Sequence, residues 1–400
     1  MINKKLKVGN VPNLRFPEFT EEWETKKLGD IATFSKGKGI SKSDIEDNGI
    51  IECIRYGELY THYREVINEI KSKTNVNTST LVLSEMNDVI IPASGETTID
   101  IATASCVMKS GIALGGDLNI IKTKNNGIFL SYYLNSKKKM EIANLAQGIS
   151  VVHLYSSQLA SLSLSLPKLN EQNRISSFLA LIDERIQTQN KIIGQLETLI
   201  KGLSEKIYSQ KIRFKKFTEK WEVKKLGEIA TFYSGGTPLT SKREYFNGNI
   251  PFIRSGEINC GKTEQFISEL GLKNSSAKIV EVGDILYALY GATSGEIGLS
   301  KIRGAINQAV LCIKSDQNHY FIYSYLSYKK ESIVSRYLQG GQGNLSAEIV
   351  KQIKIYIPAL EEQINIAGLL SSIDQKLQIE KKILIKHQSQ KQYLLQNLFI

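Results

Sequence analysis

Cysteine is scarce in this 400-residue chain, and its spacing excludes two common kinds of stabilisation. The four cysteines, Cys53, Cys106, Cys260 and Cys312, include no C-x-x-C pair, so neither a zinc cluster nor a disulfide framework is predicted. No apolar run reaches the ~18 residues that a membrane span needs. The opening residues, MINKKLKVGN, are basic but lack the apolar stretch of a secretory signal. We therefore expect a cytoplasmic protein.

Catalytic motifs are also missing. There is no G-x-x-x-x-G-K-[ST] loop for nucleotide phosphates. The seven prolines include no Pro-Pro dipeptide, which excludes the N-P-P-[YF] loop of amino-directed DNA methyltransferases. A nuclease-like Glu-x-Lys recurs at 24–26 and 222–224, but no suitably placed acidic residue precedes either copy. The four histidines are dispersed along the chain. The sequence therefore predicts no catalytic residue and no metal site.

What the chain does contain is an internal repeat. Residues 15–34 read RFPEFTEEWETKKLGDIATF, residues 213–232 read RFKKFTEKWEVKKLGEIATF, and 15 of these 20 positions are identical. We call these two stretches the start segments. A second repeated motif reads LPKLNEQNRI at 166–175 and IPALEEQINI at 357–366. We call these two short motifs the proline words. A repeat of this length indicates two copies of one structural unit.

Each proline word precedes a long helical pattern. Pro167 and Pro358 stand where a helix can begin, and the patterns continue to about residues 209 and 400. Apolar residues then recur at alternating spacings of four and three, which is the seam of a paired helix. The seam residues are Ile175, Leu179, Ile182, Ile186, Ile193, Leu196, Ile200 and Leu203 in the first helix, and Ile366, Leu370, Ile373, Leu377, Leu384 and Leu394 in the second.

The order of the repeats predicts how the helices pair. Two long matched helices in a twofold repeat favour an antiparallel pair, with polar interruptions such as Gln189 fixing the register. The second start segment follows the first helix directly, so by symmetry the end of the second helix, near Phe399, should lie beside residues 10–20. We therefore predict two pseudo-twofold-related α/β domains, joined by two long antiparallel coiled-coil helices in a circular organisation.

The predicted segments follow from these boundaries. They are an N-terminal segment (1–22), domain 1 (23–165), a central helix (166–212), domain 2 (213–356) and a C-terminal helix (357–400).

Charge suggests the kind of partner. The formal net charge is +11 and the isoelectric point is near 9.2. A basic balance favours a polyanion such as nucleic acid, although many lysine-rich proteins are basic without binding one.

Candidate DNA contacts are loop residues with cationic, amide or hydroxyl groups. In domain 2 they include the Gly235-Gly236-Thr237 loop and the glutamine-rich run 339–344. For any single residue a solvated loop side chain is the alternative, but the set recurs on two domains. The candidates are Lys36, Lys38, Arg55, His62 and Arg64 in domain 1, and Thr237, Lys242, Arg243, Arg254, Lys262, Gln308, Gln342 and Asn344 in domain 2.

Together these words resemble the specificity (S) subunit of Type I restriction-modification systems. The most specific word is P-x-L-x-E-Q-x-x-I-x-x-x-L-x-x-I-D, from Pro167 to Asp183 and from Pro358 to Asp374. SGGTP at 234–238 and GNIPFIRSGE at 248–257 add to it, whereas domain 1 has only Ser35-Lys36-Gly37 and Cys53-Ile54-Arg55 in their place.

The resemblance implies a non-catalytic subunit with two target recognition domains, each reading one half of a bipartite DNA sequence. It also implies assembly with two modification subunits and with restriction subunits. S-adenosylmethionine, ATP and Mg would bind those partners, and this chain itself would bind no cofactor. Two alternatives remain at this point: a self-contained restriction or methyltransferase enzyme, and a helical adaptor without a DNA role.

Overall fold

The computed structural model describes residues 9–148, 150–338 and 344–400. The chain divides into two compact units. Unit 1 holds the described residues up to Asn190 together with Ile383–Ile400, and unit 2 holds Lys191–Lys382. Two long helices contribute residues to both units.

Unit 1 is a mixed α/β structure. Its strands are β1 (Glu24–Lys27), β2 (Ala32–Lys36), β3 (Ile51–Ile54), β4 (Val66–Ile67), β5 (Ser72–Thr74), β6 (Val82–Leu83), β7 (Val89–Pro92), β8 (Ser94–Gly95), β9 (Ser105–Val107), β10 (Ala113–Leu114), β11 (Leu118–Thr123), β12 (Val152–His153) and β13 (Ser163–Leu166). Its helices are α1 (Leu28–Ile31), α2 (Glu58–Thr61), α3 (Thr98–Ile101), α4 (Gly127–Tyr133), α5 (Lys139–Leu145), α6 (Ser156–Ala160) and the first part of α7 (Leu169–Tyr208). A π-helical stretch, Leu134–Lys138, joins α4 to α5.

Unit 2 repeats this order with fewer strands in its described part. Its strands are β14 (Glu222–Lys225), β15 (Ala230–Ser234), β16 (Phe246–Ile253), β17 (Gln265–Ile267), β18 (Lys278–Val280), β19 (Ile285–Ala288), β20 (Ile297–Leu299), β21 (Gly304–Ile306), β22 (Val310–Ser315) and β23 (Lys354–Ile357). Its helices are α8 (Leu226–Ile229), α9 (Glu269–Lys273), α10 (His319–Leu338), α11 (Ala347–Lys351) and part of α12 (Leu360–Asn397).

The sheets of the two units have matching topology. Unit 1 has sheets in the order β5-β3-β10-β6 and β2-β11-β7-β9-β4, and unit 2 has β17-β16-β21-β18 and β15-β22-β19-β20. In each unit one two-stranded antiparallel sheet pairs the strand of the start segment with the strand that precedes the long helix. Strands β7 and β19, which follow Asp88 and Asp284, are both fully buried because they are central strands.

A clamp explains why the start segment and the proline word recur together. In unit 1 the Arg15 guanidinium donates two hydrogen bonds of 2.7 Å to the Glu171 carboxylate, and Trp23 Nε1 donates to the same carboxylate at 3.3 Å. The equivalent residues of unit 2 are Arg213, Glu362 and Trp221, with the same three distances. We call each set the Arg–Glu–Trp clamp. It fastens the start segment to the first turn of the long helix.

The glutamine of each proline word makes a second contact. Gln172 Nε2 donates to the Pro167 carbonyl at 2.9 Å, and Gln172 Oε1 accepts from the backbone of Asn126, the N-cap of α4. Gln363 repeats both bonds with Pro358 and Asn318. A single buried amide therefore links the long helix to the helix that packs beside it.

The long helices run antiparallel within each unit. In unit 1 Asp183 of α7 pairs with Lys391 of α12 at 2.8 Å, while Ile175 shares a core cluster with Leu398. In unit 2 Glu197 pairs with Lys381 at 2.7 Å, while Ile207 shares a cluster with Ile366. In each unit, higher residue numbers on α7 therefore pair with lower residue numbers on α12, so the two helices are antiparallel, as predicted.

The seam residues fall into two groups. Those near the helix ends lie in the cores of the units, packed with the start segments and with α4 or α10. The buried ones are Ile175, Leu179, Ile182, Ile186, Ile193, Ile366, Leu370, Leu377 and Leu394. The half-buried ones are Leu196, Ile200, Leu203, Ile373 and Leu384. Much of the apolar stripe therefore packs against a domain as well as against a helix.

The predicted closure is present in unit 1. The backbone N–H of Leu14 donates to the Asn397 carbonyl at 2.8 Å, and the Phe399 ring lies 5.2 Å from Phe129 and 5.5 Å from Tyr133. The end of α12 thus lies beside the first start segment. In the described part of the chain, every helix is too short or too polar to cross a membrane.

Candidate nucleic-acid interface

Three candidate residues of unit 2, Thr237, Arg254 and Gln308, gather at one edge of a sheet. Strands β16 and β21 are parallel neighbours, with Ile253 paired to Ile306. Because parallel strands end at the same edge, Arg254, which follows β16, and Gln308, which follows β21, lie at that edge. We call it the strand-end edge of unit 2.

The glycine-rich loop lies against this edge. Gly235 N–H donates to the Asn307 carbonyl at 3.2 Å, and Thr237 Oγ1 donates to Gln308 Oε1 at 2.7 Å. A Cβ on Gly235 would stand 1.7 Å from the Ile306 carbonyl oxygen, so only glycine permits this approach. Gln308 keeps its NH₂ group and a second lone pair, the groups that read adenine.

Arg254 is held in position by acidic side chains. Its Nε donates to Glu257 at 3.2 Å and an Nη donates to Glu264 at 2.8 Å, while its backbone N–H also donates to Glu257. Burial opposes ionisation of Glu257, but the hydrogen bonds from Arg254 and from backbone N–H groups lower its pKa. Since 39% of the Arg254 side chain is exposed, the guanidinium is oriented yet accessible.

The remaining candidates of unit 2 are exposed. Lys242 Nζ lies 3.2 Å from the Tyr245 hydroxyl and 5.2 Å from the centre of its ring. Arg243, Lys262 and Asn344 are exposed as well. Gln342 lies outside the described residues.

Unit 1 has the same edge with different side chains. Strands β3 and β10 are parallel, with Ile54 paired to Leu114. Lys38 N–H donates to the Leu114 carbonyl at 2.9 Å, and a Cβ on Gly37 would meet the Gly115 carbonyl oxygen at 2.0 Å. The loop after β2 thus lies against the strand ends of β3 and β10, as the loop after β15 does in unit 2.

Arg55 takes the place of Arg254. Its backbone N–H donates to Glu58 at 2.7 Å, and an Nη lies 3.9 Å from the same carboxylate. Glu58 is buried and also accepts a hydrogen bond from Ser72. Among the described residues no acceptor reaches the buried Arg55 Nε, so this guanidinium has spare donor capacity. His62 and Arg64 lie beyond α2, and both are exposed.

Sequence reasoning missed one residue of this region. Lys36 Nζ lies 5.8 Å from the centre of the Tyr155 ring, and 48% of Tyr155 is exposed. Tyr155 is the N-cap of α6, and Ser346 is the N-cap of the corresponding α11. Because Tyr155 lies outside the repeated motifs, nothing in the sequence marks it as a functional residue. An exposed aromatic ring beside a lysine is nevertheless suited to bases and phosphates.

The two edges combine oriented arginines, amides, hydroxyls and exposed lysines. This is the chemistry of groove reading and phosphate contact. Fold and site together therefore define a class of protein with two similar but non-identical heads, each carrying groups suited to a polyanion.

Comparison with known proteins gives the family. Residues 20–198 and 218–386 each match the Type I restriction modification DNA specificity domain. The chain belongs to this family and contains two copies of the domain.

Relatives cover nearly the whole chain. The Type I restriction enzyme MjaVIII specificity subunit of Methanocaldococcus jannaschii is 26% identical over 396 residues, which is 92% of this chain and 89% of the relative. The crystal structure of a Type I restriction-modification S subunit from M. genitalium superposes with a TM-score of 0.72 at 20% identity, covering 98% of this chain and 99% of the other. A chain from a study of type I system assembly gives 0.54 at 16% identity, with coverage of 93% and 96%.

These matches confirm the predicted class and fold. The chain is a specificity subunit of the Type I restriction-modification class rather than a catalytic subunit. Two α/β domains with two long helices are the fold of the solved S subunit.

Proposed function

We propose that each strand-end edge reads one half of a bipartite DNA target. The observation that supports this most directly is the same edge in both units with different side chains on it. Arg55 and Arg254 occupy equivalent positions, whereas Lys36 and Lys38 stand in one glycine loop and Thr237 in the other. A shared frame with exchanged side chains suits two different half-sites.

The proposed DNA contacts are of two chemical kinds, contacts to bases and contacts to phosphates. Arg254 and Gln308 present a guanidinium and an amide at the edge of unit 2, and such groups bind guanine and adenine edges in the major groove. Lys242, Arg243 and Lys262 are exposed cations suited to phosphates. In unit 1 Arg55 is proposed as the base reader, with the phosphate contacts coming from Lys36, Lys38, His62 and Arg64. Gln342 and Asn344 remain proposed contacts of the second half-site.

The segments take distinct tasks in this proposal. Domain 1 (23–165) and domain 2 (213–356) read DNA, while the N-terminal segment (1–22), the central helix (166–212) and the C-terminal helix (357–400) scaffold the assembly. The seam residues hold the two helices together. Two modification subunits dock on the helices and start segments, and restriction subunits join the assembly. These partners carry S-adenosylmethionine, ATP and Mg. The chain works in the cytoplasm.

The first experiment separates the half-sites. Replacing 213–356 by the corresponding segment of a relative, in the complex reconstituted with modification subunits, should change one half of the methylated motif. Methylome sequencing would show the change. If both halves change, the assignment of one half-site to each domain is wrong.

The second experiment separates base reading from phosphate binding. Gln308→Ala should relax the preference at one position by about 1–3 kcal/mol. Lys262→Ala should weaken binding to all sequences alike and reduce the salt slope by about 1, because Lys262 is exposed and follows β16. Arg303→Ala is the matched control, because Arg303 is exposed but precedes β21 and so lies at its opposite end. Equal losses in all three variants would contradict the proposed edge.

A further inference from the structure

Unit 1 contains a buried ammonium site away from its strand-end edge. Lys391 Nζ lies 2.8 Å from Asp183 and 3.0 Å from Glu65, and it sits 5.3 Å from the centre of the Tyr132 ring. The Tyr132 hydroxyl donates to Asp183 at 2.5 Å. The side chains of Lys391 and Asp183 are only 12% and 11% exposed, so the cation is enclosed by carboxylates and an aromatic ring.

The internal repeat identifies the equivalent place in unit 2. Phe399 packs on Phe129 and Tyr133 as Tyr208 packs on Phe321 and Tyr325, which aligns the two helix ends residue by residue. Eight positions earlier stand Lys391 in one unit and Ile200 in the other. The remaining equivalents are Tyr132 with Ser324 and Asp183 with Asp374.

Unit 2 therefore keeps the carboxylate of Asp183, as Asp374, but lacks both the lysine and the tyrosine hydroxyl group of unit 1. In their place is a cavity of about 600 Å³, lined by Asp374, Ile200, Ser324, Tyr320 and Tyr323 among others. Within the described part of the chain, no lysine or arginine lies within ion-pair distance of Asp374. Two lysines also line the cavity, and both have other partners: Lys201 pairs with Glu331, and Lys330 with Glu296.

The carboxylate of Asp374 affects the pKa values of two tyrosines that line the cavity. Burial raises the pKa values of Tyr320 and Tyr323, and the negative charge of Asp374 raises both further. Neutral phenol rings beside a carboxylate form the kind of enclosure that binds organic cations, because the ring faces and the carboxylate attract the same charge.

We propose that this cavity binds a primary alkylammonium group, supplied by a diamine or by a lysine side chain. Asp374 forms the ion pair, and Tyr320 and Tyr323 supply the aromatic wall. The ligand occupies the space that Lys391 and Tyr132 fill in unit 1. This proposal is independent of which residues read DNA.

Isothermal titration calorimetry on the full chain tests the proposal with two probes. These are 1,4-diaminobutane and Nα-acetyl-lysine methylamide, which stands for a lysine of another protein. Saturable binding of one ligand per chain is expected for at least one probe. Binding of the diamine alone indicates a free polyamine, and binding of the lysine derivative alone indicates a protein side chain. Failure of both probes to bind at millimolar concentration overturns the proposal.

Three variants locate the site. Asp374→Asn should weaken binding by about ten-fold or more, since the ion pair is lost. Asp316→Asn changes an exposed carboxylate of the same unit outside the cavity and should leave binding unchanged. Ile200→Lys should place a tethered ammonium beside Asp374, abolish binding of the probe and leave thermal unfolding unimpaired. Unchanged binding in Asp374→Asn, or in a folded Ile200→Lys variant, would contradict the assignment.

Discussion

Replacing Glu362 by Gln removes the carboxylate at the centre of the clamp of unit 2. Glu362 is 1% exposed and the Arg213 side chain 21%, so Arg213 would lose its partner in a mostly dry environment. Breaking a buried ion pair from one side costs about 3–5 kcal/mol, and the partial exposure of Arg213 favours the lower end. We therefore expect unit 2 to lose about 3 kcal/mol. For a unit of this size that loss lowers the midpoint of thermal unfolding by about 6–12 °C.

The chain offers a matched control at the preceding residue. Glu361 carries the same carboxylate and pairs with Lys216 at 2.6 Å, but 71% of its side chain is exposed. Glu361→Gln should change stability by less than about 0.5 kcal/mol, because solvent screens exposed pairs. Glu171→Gln should repeat the large effect in unit 1, where Arg15 and Trp23 contact the same carboxylate.

Circular dichroism during thermal and urea unfolding measures these effects, and near-ultraviolet signals from Trp23 and Trp221 report on each unit. The decisive comparison is Glu362→Gln against Glu361→Gln. If the two substitutions lower the midpoint equally, burial of the carboxylate does not determine its contribution and the reasoning fails.

Other substitutions test other contacts. Lys391→Met should cost about 3 kcal/mol by urea unfolding, since Asp183 is left buried without its cation; a neutral effect would show that the site is solvated. Leu369→Phe should add about 1 kcal/mol by filling a cavity of about 120 Å³, and a loss of stability would mean that the cavity cannot admit a ring. Gly235→Ala should cost about 2 kcal/mol, whereas Gly256→Ala, whose added Cβ would meet no atom within 4 Å, should be near neutral in the same assay.

The architecture was predictable because repetition fixes it at many positions. Two start segments, two proline words and two apolar stripes gave the number of domains, the helices and their antiparallel pairing, and the predicted helix ends lie within a few residues of Leu169–Tyr208 and Leu360–Asn397. The clamp residues are visible as repeated letters, but their contact is not, because Arg15 and Glu171 are 156 positions apart.

The site was less accessible to sequence reasoning. That Arg254 and Gln308 share an edge depends on the parallel pairing of β16 with β21, and 50 residues of diverged sequence separate those strands. The acidic partners of Arg254 were also hidden, since Glu257 and Glu264 look like ordinary loop charges. Tyr155 carried no motif, and only the fold brings it to Lys36.

The close approach of Gly235 to the Ile306 carbonyl fixes the path of the loop, whereas the side chains farther along the loop are free to vary. At Gly235 any side chain would collide with backbone, so the path of the loop is set by what cannot be added there. Two positions later Thr237 is exposed, and replacing it disturbs no buried atom. On the proposed role of this edge, single substitutions at such positions would change the target preference on an unchanged frame, without passing through an unfolded intermediate.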